Sequence, residues 1–318
     1  MHAIISNFSN KHVLVIGDVM MDIYDFCHTG QSRPSPEKKD ARVYRAERQL
    51  KALGGAGNVA ANCVALSAQT TMIGICGQDA YSFEIEGKSS EMGIRHVMFR
   101  DERRPTTVKT RLYIDEEYIL RRDDESTEKV DDVIEGMILS SVESLLPTCD
   151  VVILSDYNKG IFTESGTQAI ISMCRKKSVP VVVDFKPENR NYFRGASIIV
   201  PNLVEARNIM PDFKLENLSE SCNSLYASLS AMNLVVTLGG EGICGYDGNV
   251  FFRYPARKVN VVDPVGCGDT VRAVLALAFT SGLSLEQSAE MANRAASIAV
   301  QKIGTAIISA EELKKEMR

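Results

Sequence analysis

The cysteines of this chain include no C-x-x-C pair, and its four histidines (positions 2, 12, 28 and 96) fall at no metal-ligand spacing. The eight cysteines are scattered, the closest two 13 residues apart. Neither a zinc site nor a disulfide framework is expected from such a pattern. Unpaired thiols suit a reducing compartment, so a cytoplasmic protein is expected. Apolar runs of membrane-crossing length, roughly 20 residues, are missing, and no membrane partner is expected. The opening MHAIISNFSNKH has no basic stretch ahead of an apolar one, so no signal peptide is read. Positive charge is not in excess: 36 Lys and Arg against 41 Asp and Glu give a net charge of −5. That balance argues against a nucleic-acid partner. With no repeat, low-complexity tract or linker in view, residues 1–318 read as a single domain.

What is present is a rhythm. Six short apolar runs, VLVIGD (13–18), TMIGICG (71–77), VVILSDY (151–157), PVVVDFK (180–186), SIIVPN (197–202) and LVVTLGG (234–240), alternate with amphipathic stretches such as SGTQAIISMCRKK (165–177). Runs that are apolar on both faces suit parallel strands covered by helices on each side. A doubly wound α/β sheet is therefore predicted. Asp18, Asp79, Asp156, Asp184 with Lys186, Asn202 and Thr237 fall at or just past the carboxyl ends of these runs. In open parallel sheets that edge is where ligands bind.

Two segments break the rhythm. Residues 24–50 are polar and carry proline, and TTVKTRLYIDEEYILRR (106–122) alternates as two strands around a turn near 115–117. Together they predict a small β lid, whose exposed apolar face would pair two copies as a homodimer. Near the end, Ser284 and Gln287 make a capping box for a helix running toward Val300.

Two glycine turns remain. GGAGNVAAN (54–62) contains a G-x-G-x-x-A run, but a dinucleotide fingerprint needs a strand before it and an acid about 20 positions later. AERQLKAL, just before it, reads as helical or irregular, and no suitable acid ends the next strand. The better reading is a glycine turn opening a helix, with Asn58 and the backbone available to a polyhydroxylated ligand. In DPVGCGDTV (263–271), Gly266, Cys267 and Gly268 lie at the start of a helix that runs to Gly282. Backbone N–H groups at a helix N-terminus converge on anions. A carboxylate there, Asp269, makes sense if it takes a proton from a hydroxyl while the amides hold a phosphoryl group. An ordinary N-cap aspartate on a core helix is the alternative.

In this order the motifs resemble those of the ribokinase-like (PfkB) carbohydrate kinases. The late D-T-x-G-A-G-D signature is matched by Asp263, Gly266, Gly268 and Asp269, the early glycine signature by GGAGNVAAN. Asn202 and Glu205 in PNLVE match the N-x-x-E element, and Thr237-Leu238-Gly239 with Gly242 match the nucleotide strand. The resemblance implies a three-layer, mostly parallel sheet with a β lid. Within the family, GDVMMD (17–22), SRPSPE (32–37), PTTVKTRLY (105–113), LSDYNKG (154–160), FRGASIIVPNLVEA (193–206) and ANRAASIAVQKIGTAIIS (292–309) are similar to the heptose branch. That branch phosphorylates O1 of D-glycero-D-manno-heptose 7-phosphate. Its members are often fused to a nucleotidyltransferase, and with no H-x-G-H segment following here a stand-alone kinase is expected.

The resemblance implies roles. Asp269 would be the base, with the amides of Gly266, Cys267 and Gly268 as the anion hole. Asp18, Asp22, Gly55, Asn58 and Asp156 would bind the sugar phosphate, and Lys109 and Arg111 would close over it or grip its 7-phosphate. Lys186, Asn202 and Glu205 would face the phosphates of ATP and their Mg²⁺, Glu205 through water. Thr237, Gly239, Gly242 and Asn293 would line the nucleotide site, and Asp263 would mark a monovalent-cation region. Pro264 and Cys267 depart from the signature, Cys267 standing where Ala is usual. The thiol reads as a passenger in the turn; a lowered pKa at the helix N-terminus would instead make it sensitive to alkylation. Two other readings stay open: a family kinase for a different sugar, nucleoside or sugar phosphate, and a catalytically silent sugar- or nucleotide-binding protein.

Overall fold

Alternate residues of the first strand go to opposite sides: Val13 and Val15 join one apolar cluster, Leu14 and Ile16 the other. A strand's side chains alternate with period two, so a run without polar residues means that both faces are covered. The computed structural model describes residues 1–318. On one face lie the helices Ala56–Ala65, Cys267–Thr280 and Leu285–Ala299, and on the other Asp132–Leu145, Glu164–Lys176 and Leu218–Leu229. Burying each large aliphatic side chain contributes about 1.5–3 kcal/mol, which is what holds the three layers together.

In chain order the strands are β1 (His12–Gly17), β2 (Val19–Cys27), β3 (Arg33–Pro34), β4 (Arg42–Val43), β5 (Ala46–Gly55), β6 (Gln69–Cys76), β7 (Arg95–Arg100) and β8 (Val108–Ile114). They continue with β9 (Glu117–Asp124), β10 (Val151–Ser155), β11 (Val181–Asp184), β12 (Ile198–Ile199), β13 (Leu234–Thr237), β14 (Ile243–Tyr246) and β15 (Phe251–Tyr254). The main sheet has nine strands in the order β15-β14-β13-β12-β11-β10-β1-β6-β7. It is parallel from β7 to β13, and β14 and β15 add antiparallel. The doubly wound sheet expected from the apolar runs is present.

The lid is a second sheet in the order β5-β2-β8-β9. Its β8–β9 hairpin turns at Asp115 and Glu116, both with positive φ. The sheet begins at Val19, five residues before the expected segment, because the chain leaves the main sheet at Asp18 and enters the lid at once. AERQLKAL was expected to be helical or irregular and is instead most of β5, paired antiparallel with β2. The Ala46–Leu50 half of that strand is exposed, so no apolar alternation advertises it. The G-x-G-x-x-A run therefore does follow a strand, but a lid strand rather than one of the parallel sheet. The strand β9 is one of the lid's two edges, β5 being the other, and leaves Tyr118, Ile119 and Leu120 about half exposed.

Two helix boundaries follow the local chemistry. Ser284 and Gln287 form the expected reciprocal capping box. The helix Cys267–Thr280 ends at Ser281, with Gly282 in the left-handed region at φ +97°.

Candidate active site

A cavity of about 390 Å³ lies between the lid and the carboxyl edge of the main sheet. From the lid side come Asp22, Gly55, Lys109, Arg111 and Arg121. From the main domain come Tyr157, Lys159, Lys186, Gly266, Asp269 and Thr305. A wider hollow of about 590 Å³ beside Asp79 and Arg103 is open, is lined mainly by polar and charged residues, and its Asp79 already caps the helix Ala80–Glu91. The chemistry gathers in the first.

Asp269 sits in the first turn of the helix Cys267–Thr280 and is buried. Its Oδ2 accepts from Asn58 Nδ2 at 2.7 Å, and its Oδ1 accepts from the Tyr157 hydroxyl at 2.8 Å and from Arg272 Nη2. Burial pushes its carboxyl up to about 7, against the donors Asn58 and Tyr157 and the Lys186 charge, with Asp22 adding to the rise. A carboxylate poised near neutrality can accept a proton and release it again.

Gly266 is the N-cap of that helix, with φ +77°, and a Cβ there would stand 2.7 Å from Asn58 Nδ2. Only glycine meets both demands. The Gly266 and Gly268 N–H groups have no protein acceptor, whereas the Cys267 N–H turns back to the Pro264 carbonyl at 3.3 Å. The expected three-amide cradle is thus two open amides with the middle one engaged in the turn. The Cys267 thiol is likewise different from the lowered acid considered above. Burial pushes it up to about 11, with the neighbouring Asp269 charge adding, and Sγ faces the Ala296 carbonyl at 3.8 Å.

The other expected substrate residues divide. Asp22 lies across the cavity in an ion pair with Arg111, whose guanidinium also stands over the Tyr24 ring. Lys109 lines the same wall and pairs with Asp123 and Glu125, each at 2.9 Å. Asn58 reaches the site through Asp269, and Gly55 presents backbone to the cavity. Asp18 and Asp156 face elsewhere. Asp18 accepts from the N–H groups of Tyr157 (2.7 Å), Lys159 (3.0 Å) and Ile161 (3.4 Å), and burial lifts it to about 6. Asp156 accepts from Asn158 N–H, Lys186 N–H and Asn189 Nδ2. Both carboxylates therefore hold the loops that carry Tyr157, Lys159 and Lys186, and neither lines the cavity.

Further along the sheet edge is the second group. Asn202 bridges to Thr237 across the ends of adjacent strands, and Asn202 with Glu205 forms a capping box on the helix Leu203–Ile209. Glu205 Oε2 accepts from Asn202 N–H at 2.9 Å, and Oε1 pairs with Lys186 Nζ at 2.6 Å. Lys186 thus joins the two groups. Gly239 and Gly242 both have positive φ after β13, and a Cβ on Gly242 would meet the Tyr254 carbonyl at 2.1 Å. Asn293 donates to the Pro255 carbonyl at 2.8 Å, fixing the segment after β15. Asp263 accepts from Val265 N–H and Gly304 N–H, each at 2.9 Å, and so ties two loops together.

Sequence reasoning missed Tyr157, Lys159, Arg121 and Arg272. The first two lie in LSDYNKG, one and three positions past Asp156, where a strand-end loop could have been followed further. Arg121 carried a signal in the alternation of 106–122 that singled out Lys109 and Arg111. Arg272 had a weaker one: it is a lone charge within VRAVLALAF.

The model of the pfkB family of carbohydrate kinases matches residues 10–312. The chain is 36% identical over 309 residues to the D-beta-D-heptose 7-phosphate kinase of Bordetella bronchiseptica, covering 97% of this chain and 96% of that one. It is 35% identical over 309 residues to the bifunctional protein HldE of Nitratiruptor sp., covering 96% of this chain and spanning only 65% of that protein. Among solved structures, phosphofructokinase-2 from Escherichia coli in complex with potassium has a TM-score of 0.77 at 17% identity, covering 97% of this chain and 99% of that one. That likeness shows a shared fold.

Proposed function

The chain belongs to the pfkB family of carbohydrate kinases, and we propose that it transfers the terminal phosphoryl group of ATP to O1 of a heptose 7-phosphate. The observation that carries this reading is the buried Asp269 beside two open amides at one end of a cation-lined cavity. The acceptor hydroxyl gives its proton to Asp269, and its oxygen pair forms the new bond to phosphorus. The bond to the departing ADP oxygen breaks, and ADP keeps that pair. The Gly266 and Gly268 N–H groups, at the positive end of a helix, are placed to hold charge on the transferring group.

The cations support a phosphorylated acceptor. Lys109, Arg111, Arg121 and Lys159 all reach the cavity. Each is held by a carboxylate, Arg111 by Asp22, Lys109 by Asp123 and Glu125, Arg121 by Asp123 and Lys159 by Glu125, so a distal phosphate would take its place among these pairs. The named substrate of the Bordetella relative has that form. Lys186, between Asp269 and the Asn202–Glu205 group, suits the phosphates of the nucleotide. Each Glu205 oxygen already accepts one hydrogen bond, which fits holding Mg²⁺ through its water shell rather than directly. Bound there, the metal would neutralise phosphate charge as the bond breaks.

The test is ADP release with Mg-ATP over D-glycero-D-manno-heptose 7-phosphate, sedoheptulose 7-phosphate, fructose 6-phosphate, ribose and adenosine. Turnover is expected on the heptose phosphate, with a loss of about 10²–10⁴-fold in Asp269→Asn, the size of a general-base contribution. Activity in wild type should fall as pH drops below about 7, where Asp269 becomes protonated. Turnover confined to another member of the panel would retain the kinase and reject this substrate.

A further inference from the structure

Arg272 lies one helical turn after Asp269, inside a helix whose neighbouring positions Val271, Ala273, Val274 and Leu275 are all buried and apolar. Burying a guanidinium is costly unless it is paired, and a well-packed apolar side chain would commonly be as stable or more so. The pairing here is also incomplete, because the Arg272 Nε is buried without a partner. Stability alone gives no reason for this residue.

Its partners do. Nη1 is ion-paired to Asp184 at the end of β11, and Nη2 reaches both Asp269 Oδ1 and, at 3.1 Å, the Tyr157 hydroxyl. Oδ1 of Asp269 therefore receives two donors, Tyr157 and Arg272, while Oδ2 receives one, Asn58. A carboxylate oxygen has two acceptor directions. Oδ1 is filled by protein donors, and one direction remains on Oδ2.

We propose that Arg272 is a positioning residue for Asp269: anchored by Asp184, it closes Oδ1 with Tyr157 and leaves Oδ2 as the proton-accepting oxygen. This rests on the reading of Asp269 as the base. The same contact keeps a positive charge against a carboxylate that burial otherwise favours in its neutral form. The remaining groups facing Asp269 are Asn58 from the helix Ala56–Ala65, Tyr157 from the loop after β10, Asp22 from β2, Lys186 after β11, and Cys267 on its own helix. Of these, Lys186 alone supplies a second positive charge, and it is already paired with Glu205. Arg272 is thus the cation in direct contact with the carboxylate.

The experiment compares Arg272→Met, Arg272→Lys, Asp184→Asn and Asp269→Asn with wild type, by kcat and KM across pH 5.5–9.5 and by carbon NMR titration of the Asp269 carboxyl. The Asp269→Asn spectrum assigns that signal. An adjacent arginine typically lowers a carboxyl by about 1–3 units. In Arg272→Met both the acid limb of kcat and the NMR midpoint should move up by that much. Activity should then fall about 5- to 500-fold at pH 7, where the wild-type carboxyl is half ionised, with much of it regained at high pH and KM for both substrates little changed. Arg272→Lys should restore part of the shift, and Asp184→Asn should give a smaller one in the same direction. An unmoved midpoint in Arg272→Met, or a loss equal at every pH, overturns the proposal. Should that variant fail to fold, unmoved midpoints in Arg272→Lys and Asp184→Asn overturn it instead. Wild-type turnover in Asp269→Asn would reject the base itself, a separate failure from an unshifted Arg272 variant.

Discussion

Two glycine turns open the helices Ala56–Ala65 and Cys267–Thr280, and they meet at the Asn58–Asp269 hydrogen bond. In sequence they look alike. Each helix has a left-handed glycine as its N-cap, Gly55 at φ +57° and Gly266 at φ +77°, and neither has a side-chain cap. Their surroundings differ. At the first turn the Ala56 N–H donates to the Asp18 carbonyl at 3.0 Å, and residues 54–58 are all buried. That turn is the joint where the lid strand β5 passes into the main domain. At the second turn residues 265–267 are half-buried, Gly268 is exposed, and the amides of Gly266 and Gly268 are open. The glycine spacing specifies a backbone shape, and exposure decides whether that shape joins two sheets or holds an anion.

Alanine substitution separates the two uses. The largest effect on stability is expected at Gly55, where a methyl would stand 2.3 Å from a backbone carbonyl that is itself hydrogen-bonded. The positive φ alone costs about 1–3 kcal/mol, so the urea midpoint of Gly55→Ala should drop clearly. The largest effect on turnover is expected at Gly266, where the methyl displaces Asn58 from Asp269. Losing a hydrogen bond to a charged group costs about 1.5–3 kcal/mol, roughly a 10- to 100-fold drop in kcat per folded molecule. If Gly55→Ala were the more damaging to kcat and Gly266→Ala the more damaging to the fold, the comparison would be reversed.

A milder change sharpens it. At Gly268 the nearest atom to an added Cβ is Arg272 Nη1 at 3.8 Å, an ordinary contact, and φ is not in the left-handed region. Gly268→Ala should leave stability within about 0.5 kcal/mol of wild type. The methyl would nonetheless stand beside an open amide, and KM for ATP should rise. An unchanged KM would mean that this amide does not approach the nucleotide.

How much of this was legible beforehand follows from what each residue's neighbours are. Six of the seven parallel strands were readable because both their faces are buried, which leaves an apolar run with a polar residue at its end; the edge strand β7, RHVMFR, is half-buried or exposed throughout and was not read. The strand β5 was not, since Ala46–Leu50 lies exposed and carries no alternation toward a core. Asp18 and Asp156 were correctly placed at strand ends, but sequence position cannot say whether a carboxylate turns toward a cavity or toward its own loop. Their N–H partners come from residues 157–161 and 158–189, and that geometry exists only after folding. Arg272 is the sharpest case. One charge in an Ala/Leu/Val helix looks like a solvated face, and its meaning depends on Asp184, 88 positions earlier, arriving at the same strand edge.

The smallest effect is expected at the residue that departs most visibly from the family signature. Cys267 is the one cysteine that is not fully buried, yet its thiol is held up near 11 by its surroundings and by the Asp269 charge. The helix N-terminus favours thiolate, but here burial and the adjacent carboxylate outweigh it. At pH 8 the thiol should stay protonated, so alkylation should run on the order of 100-fold slower than for a free cysteine. Its N–H, not its side chain, takes part in the turn, so Cys267→Ala should change kcat/KM by less than about 0.5 kcal/mol, roughly twofold. Peptide-level mass spectrometry of alkylation between pH 7 and 9 checks the first expectation, and the kinetics of the alanine variant check the second. Rapid labelling at pH 7 would show that the helix end, rather than the buried carboxylate beside it, governs this thiol.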